Sequence, residues 1–164
     1  MLNKICIHWT AGANTPCDVD LKSYHFLIDS AGKKYSGKYK PEDNLNCNDG
    51  IYAQHCGGGN TGCIGISVCG MAGFDLKNKK TKYPLTQVQI EAICKLCAEL
   101  CIKYKIEINE KTVYTHFEFD QRQINKQGKI DITYLPYLPN LQKERIGEYL
   151  RNKIKWYKLQ LLKN

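Results

Sequence analysis

The chain holds four histidines, His8, His25, His55 and His116. Two of them close short runs that read as β-strands, Leu2–His8 and Thr112–His116. Strand ends are where open α/β sheets present groups to ligands. One histidine there is more often structural than functional; several, with a carboxylate in reach, suggest a different use. Two neutral imidazoles and a carboxylate suit a catalytic zinc, which takes three protein ligands and keeps a fourth position for water. Such an ion lowers the pKa of that water to about 7, which yields a nucleophile at neutral pH. His8, His116 and Asp131 are the candidates. They are far apart in sequence, and spacing alone does not choose zinc.

Other chemistry-bearing clusters read more simply. Cys94, Cys97 and Cys101 have the look of a metal or iron–sulfur motif. On a helix they share one face, where small hydrophobes normally belong to the core. Cys56 and Cys63 flank the run Gly57-Gly58-Gly59; the expectation is that they stay unpaired, with a disulfide as the alternative. The glycine run lacks the Gly-Lys-Ser/Thr ending of a phosphate-binding loop and a helix after it.

The elements that must position these residues are mixed. Besides the two strands above, Tyr24–Asp29 reads as a strand, with Ser30–Lys33 as a hairpin turn into Lys34–Ser36, and Cys63–Cys69 as a compact buried strand. Residues 9–22 read as irregular, 37–62 as loop-rich, 75–84 as a Lys/Asn-rich loop and 120–140 as a polar loop. A helix is expected after Thr86, whose capping-box partner is Gln89, with apolar residues recurring from Ile90 to Tyr104. A last helix is expected from about Leu141 to Leu161. Its apolar stripe is Ile146, Leu150, Ile154, Tyr157 and Leu161, and Lys143, Arg145, Arg151, Lys155 and Lys158 form a solvated face. The class is therefore α/β, and 164 residues without repeats fit a single domain, with no second binding module expected.

Composition narrows the setting. With 43% hydrophobic and 24% charged residues the chain reads as globular. No run of about 18 apolar residues exists to span a membrane, and the N-terminus shows no secretory h-region. The expectation is synthesis in the cytoplasm, with release or export needed to meet an extracellular substrate. Nine cysteines, an odd number, then read as mostly reduced thiols. The net charge of +8 reads either as a Lys-rich solvated surface or as attraction to a polyanion, and charge alone does not choose between nucleic acid and the anionic polymers of a bacterial envelope.

Seven segments in order give a sharper reading. They are Ile7–Gly12 (IHWTAG), Tyr24–Ile28 (YHFLI), Gln54–Asn60 (QHCGGGN), Ile64–Gly70 (IGISVCG), Pro84–Gln89 (PLTQVQ), His116–Glu118 (HFE) and Lys129–Asp131 (KID). Together they resemble the type 2 N-acetylmuramoyl-L-alanine amidases, which share the fold of peptidoglycan recognition proteins and include amidase-type phage lysozymes. The resemblance implies a central mixed β-sheet flanked by helices. It implies zinc (Zn2+) held by His8, His116 and Asp131, with Asp120 as the alternative third ligand because the stretch from His116 to Lys129 is long and polar. Lys129 would face the scissile carbonyl and Tyr24 would sit beside the metal. His55 and Asn60 would line the substrate groove, with Thr10 on the binding side of the first motif. His25 would be a buried supporting histidine, and Glu118 an acceptor behind a ligand histidine. The loop from His8 to Tyr24 looks too short for the helix many members carry there.

The implied reaction is hydrolysis of the amide between N-acetylmuramic acid and L-alanine in peptidoglycan. The implied partner is peptidoglycan or a muropeptide, with no nucleic acid, and the chain is expected to work as a monomer. The rival from another class is a recognition module that binds peptidoglycan without cutting it. Such relatives typically lose a zinc ligand, and here all three candidates are present. A basic nucleic-acid-binding protein is a third reading, but it leaves the histidine pattern unexplained.

Overall fold

Side-chain alternation along Lys4–Trp9 (β1) divides the molecule in two. Ile5, Ile7 and Trp9 enter the main apolar core, while Cys6 joins a small cluster with Cys56, Cys63 and Tyr114 on the opposite face. His8 follows Cys6 by two and takes that second face. The computed structural model describes residues 1–163.

Five strands form one mixed sheet: β1, β2 (Phe26–Ile28), β3 (Lys34–Ser36), β4 (Cys63–Val68) and β5 (Val113–Thr115), in the order β3-β2-β4-β1-β5. β1 runs parallel to β4 and β5, β2 runs parallel to β4, and β3 pairs antiparallel with β2. The helices are α1 (Asp18–Ser23), α2 (Gln87–Lys103), α3 (His116–Gln121) and α4 (Lys143–Leu161). Among the described residues no helix is long and apolar enough to cross a membrane.

α2 and α4 cover the first face of the sheet. Ile90, Ile93, Ile146, Leu150 and Ile154 lie in its core together with Cys94, Cys97 and Cys101. Each large aliphatic buried this way contributes roughly 1.5–3 kcal/mol. The three cysteines are core residues, not cluster ligands. Cys56 and Cys63 are both free thiols. α2 begins as its sequence indicates: Thr86 Oγ1 accepts from the Gln89 amide, and Gln89 Oε1 accepts from the Thr86 amide. The fully buried Gln89 also donates to the carbonyls of Ile28 and Cys69, pinning the start of α2 to the sheet.

Two expectations are corrected. Residues 9–22 are not wholly irregular, because α1 occupies Asp18–Ser23 and Asp20 Oδ2 accepts from the Cys17 amide at its start. Six residues are too few for a hydrophobic period to show. β5 ends at Thr115 rather than His116: Thr115 Oγ1 accepts from the Glu118 amide and Glu118 Oε2 from the Thr115 amide, so His116 opens α3.

Candidate metal centre

His8 stands near the carboxyl end of β1 and His116 directly follows β5, its parallel neighbour, so pairing of the two strands brings the imidazoles together. Their ring centroids are 4.6 Å apart. The third donor comes from a turn in which the Thr133 amide donates to the Ile130 carbonyl, with Asp131 and Ile132 between them. Ile132 has φ +62° and is fully buried. A β-branched residue in the left-handed region costs on the order of 1–3 kcal/mol. That conformation drops Ile132 into the core while the preceding Asp131 faces the histidines. Asp131 Oδ2 lies 3.0 Å from His8 Nδ1 and 3.3 Å from His116 Nδ1.

The chemistry of this set fits zinc. One donor atom from each of His8, His116 and Asp131 lies within 4.8 Å of the other two. Ligands about 2.0–2.2 Å from a tetrahedral ion stand roughly 3.3 Å from each other, close to the two separations above. The Asp131 side chain keeps 16% exposure, so the set opens toward solvent on one side. Cys6, His8 and His55 form a second group with donors within 4.8 Å, but all three are buried and His8 is shared. Cys6 went unread in the sequence although the alternation of β1 was a signal for it: residues 6 and 8 must share a face.

Electrostatics around the three is polarised. Burial holds the His8 pKa below its ordinary value despite Asp131. For His116 burial also opposes the charge, but the Asp131 carboxylate and the Cys56 sulfur outweigh it and raise the pKa to about 9. Burial alone would raise Asp131; the neighbouring His116 and His8 overturn that and hold it well below the carboxylate range. Cys56 is lowered to about 5, first by a hydrogen bond with Cys6 and, against burial, by His116.

Tyr24, at the end of α1, sets its ring 5.1 Å from that of His8. Burial, then the Asp131 charge, raises its phenol pKa, so the hydroxyl stays protonated. Lys129 is partly buried two residues before Asp131, and its amide donates to Asp120 Oδ2 at 3.0 Å. Asp120 Oδ1 accepts from the Gln127 amide. Both of its oxygens thus fasten the loop that carries Lys129, and Asp120 is corrected from alternative ligand to loop anchor.

The other residues expected at the site have definite partners. His55 does not line an open groove: it is 6% exposed, with Nδ1 3.1 Å from His8 Nε2. Asn60 Oδ1 accepts from the amides of His55 and Cys56 and so shapes their loop. Thr10 Oγ1 accepts from the amides of Gly12 and Gly70, tying the exit of β1 to the loop after β4. Glu118 backs no histidine; both of its oxygens meet Arg151, at 3.0 and 2.9 Å, which also takes Arg151 out of the solvated face of α4. His25 is buried as expected, with Nδ1 accepting from the Gly65 amide and Nε2 donating to Asn44 Oδ1. A groove of about 970 Å³ beside α3 and α4 is lined by residues such as Phe117, Arg122 and Lys155 and by none of the three donors. The chemistry, not the size of a cavity, locates the centre.

The family model described as N-acetylmuramoyl-L-alanine amidase matches residues 2–133, a span that includes all three donors. The chain belongs to that family. Among curated proteins no sequence matches it. Among solved structures it is similar to the N-acetylmuramoyl-L-alanine amidase LysC from Clostridium intestinale URNW, with 20% identity, TM-score 0.54, and 93% of this chain and 85% of that one covered. The Ph2119 endolysin from the Thermus scotoductus MAT2119 bacteriophage Ph2119 has 15% identity and TM-score 0.54, with 92% and 83% covered. At such identities the likeness shows the fold. This amidase-family fold places the carboxyl ends of β1 and β5 and the Asp131 turn around one point.

Proposed function

We propose that the chain hydrolyses the amide between the lactyl group of N-acetylmuramic acid and the L-alanine of the peptidoglycan stem peptide, with zinc held by His8, His116 and Asp131. The observation that carries this reading is the convergence of those three donors, from β1, α3 and a strained turn, in a chain of the amidase family. Zinc bound there would supply Lewis acidity toward a carbonyl and a water made acidic enough to attack at neutral pH.

The chain's own residues supply the rest. The Lys129 ammonium is proposed to offset negative charge growing on the carbonyl oxygen, the kind of preorganised charge that often contributes most to catalysis. The protonated Tyr24 hydroxyl is proposed to donate a hydrogen bond beside the centre. Thr10, Asn60 and His55 shape the walls of the site through the hydrogen bonds described above. The substrate is peptidoglycan or a muropeptide, reached in the wall after release or export, or met as a soluble fragment.

The test is digestion of purified peptidoglycan by zinc-loaded protein, which is expected to free L-alanine amino groups while glycan chains stay intact. No new amino groups from such a digest would overturn the reading. His8→Ala is expected to lose zinc and activity together. If that variant retained stoichiometric zinc, the ligand assignment would be wrong. Comparing intact sacculi with soluble muropeptides then identifies which form is cleaved faster.

A further inference from the structure

His55 is tied down from three sides. Its backbone amide donates to Asn60 Oδ1. Its ring lies flat on β4 where the strand has a glycine: a Cβ added at Gly65 would sit 2.3 Å from His55 Cγ and 2.4 Å from Cδ2. Its Nε2 is 3.3 Å from the Cys63 carbonyl. A carbonyl oxygen only accepts, so His55 Nε2 carries a hydrogen. A neutral imidazole carries a hydrogen on only one of its two ring nitrogens. Its Nδ1 is therefore bare.

That bare nitrogen is 3.1 Å from His8 Nε2, and with only an acceptor to meet, His8 must donate from Nε2. A neutral His8 then carries no hydrogen on Nδ1. Yet Nδ1 faces Asp131 Oδ2 at 3.0 Å. Two lone pairs at that separation repel unless a cation lies between them. The relay from the Cys63 carbonyl through His55 to His8 thus prepares one nitrogen, Nδ1, as a ligand before any ion arrives.

From this geometry we infer that His55 is a positioning residue, which fixes the tautomer and ring orientation of His8 so that Nδ1 is the nitrogen offered to the metal. The inference rests on the metal centre proposed above and deepens it. A partner behind a ligand histidine typically accounts for 10–100-fold in metal affinity or activity.

The test has two arms. In metal-free protein carrying 15N-labelled histidine, held above neutral pH, NMR is expected to show the His8 hydrogen on Nε2; a hydrogen on Nδ1 overturns the inference whatever the protein does with zinc. In the second arm, His55→Leu removes the acceptor and is expected to weaken zinc binding by about 10–100-fold. His55→Asn, whose Oδ1 takes the place of Nδ1, is expected to restore most of that loss. Wild-type affinity in His55→Leu, or no recovery in a folded His55→Asn, overturns it. A wild-type chain that takes up no zinc while His8 holds its hydrogen on Nε2 instead sinks the metal centre itself, so the two failures are told apart.

Discussion

At the scale of single residues, His116 sets how the metal-free protein responds to pH. Its ordinary pKa is about 6.5. In the fold, burial works against the charge, but Asp131 and Cys56 prevail and raise the value to about 9. The charged form is therefore favoured by folding. Its stabilisation is complete below about pH 6.5, declines as pH rises, and is gone above about pH 9. Asp131 contributes in the opposite sense, since its carboxyl is held down and its share is lost as acid protonates it. Over the same range the Cys56 thiol, lowered to about 5, contributes in the opposite sense. The melting temperature of chelator-treated protein is therefore expected to stay nearly level between about pH 6.5 and pH 9, and in His116→Gln, where only the Cys56 contribution remains, it is expected to rise with pH. An unchanged slope in the variant would show that another group titrates. Zinc reverses the preference, because a ligating imidazole nitrogen must be unprotonated. Calorimetry in buffers of different ionisation enthalpy is expected to show zinc uptake at neutral pH releasing about one proton.

At the scale of elements, α3 carries His116 and is held by its Glu118. Both Glu118 oxygens are engaged by Arg151 of α4, with the two side chains only 16% and 12% exposed. Gly147 makes the approach possible, since a Cβ there would sit 2.2 Å from the Glu118 carboxyl carbon. Breaking a buried pair from one side costs about 3–5 kcal/mol, and this pair, slightly exposed, belongs near the lower end. Arg151→Met is expected to destabilise by roughly 3 kcal/mol in urea denaturation and to weaken zinc binding through α3. A loss under about 0.5 kcal/mol would mark an ordinary surface pair. Neither partner announces this role in the sequence, where Arg151 reads as one more basic residue of the last helix. The same contrast runs through the fold. Thr86 and Gln89 state the start of α2 because capping depends on neighbours three residues apart, and alternation gives β1 because its faces differ. The one-and-a-half turns of α1 are too short to show a period, and Thr115 caps α3 with residues that also suit a strand. Of the centre, His8 and His116 could be picked out by their places near strand ends. Asp131 could be named as a candidate but not placed, because its position depends on the positive φ of Ile132, where no glycine marks the turn.

At the scale of the whole molecule, 24 basic residues against 16 acidic ones leave +8. Lys155 lies on the exposed side of α4, and α4 packs on the sheet face opposite the Cys6 cluster and, by alternation, opposite His8. Charge placed there reaches a substrate at the centre only through the long-range field, which salt screens beyond about 8 Å at physiological ionic strength. If the positive field gathers the protein onto an anionic wall, the effect belongs to encounter rather than to the chemical step. Cleavage of sacculi bearing anionic polymers is expected to slow several-fold as salt rises from low to physiological, while turnover of a small soluble muropeptide moves little. Replacing Lys155 and Lys158 with glutamine is expected to shallow the first salt dependence and leave the second rate alone. Equal losses on both substrates would mean that these lysines act on the centre through the fold and not through the field.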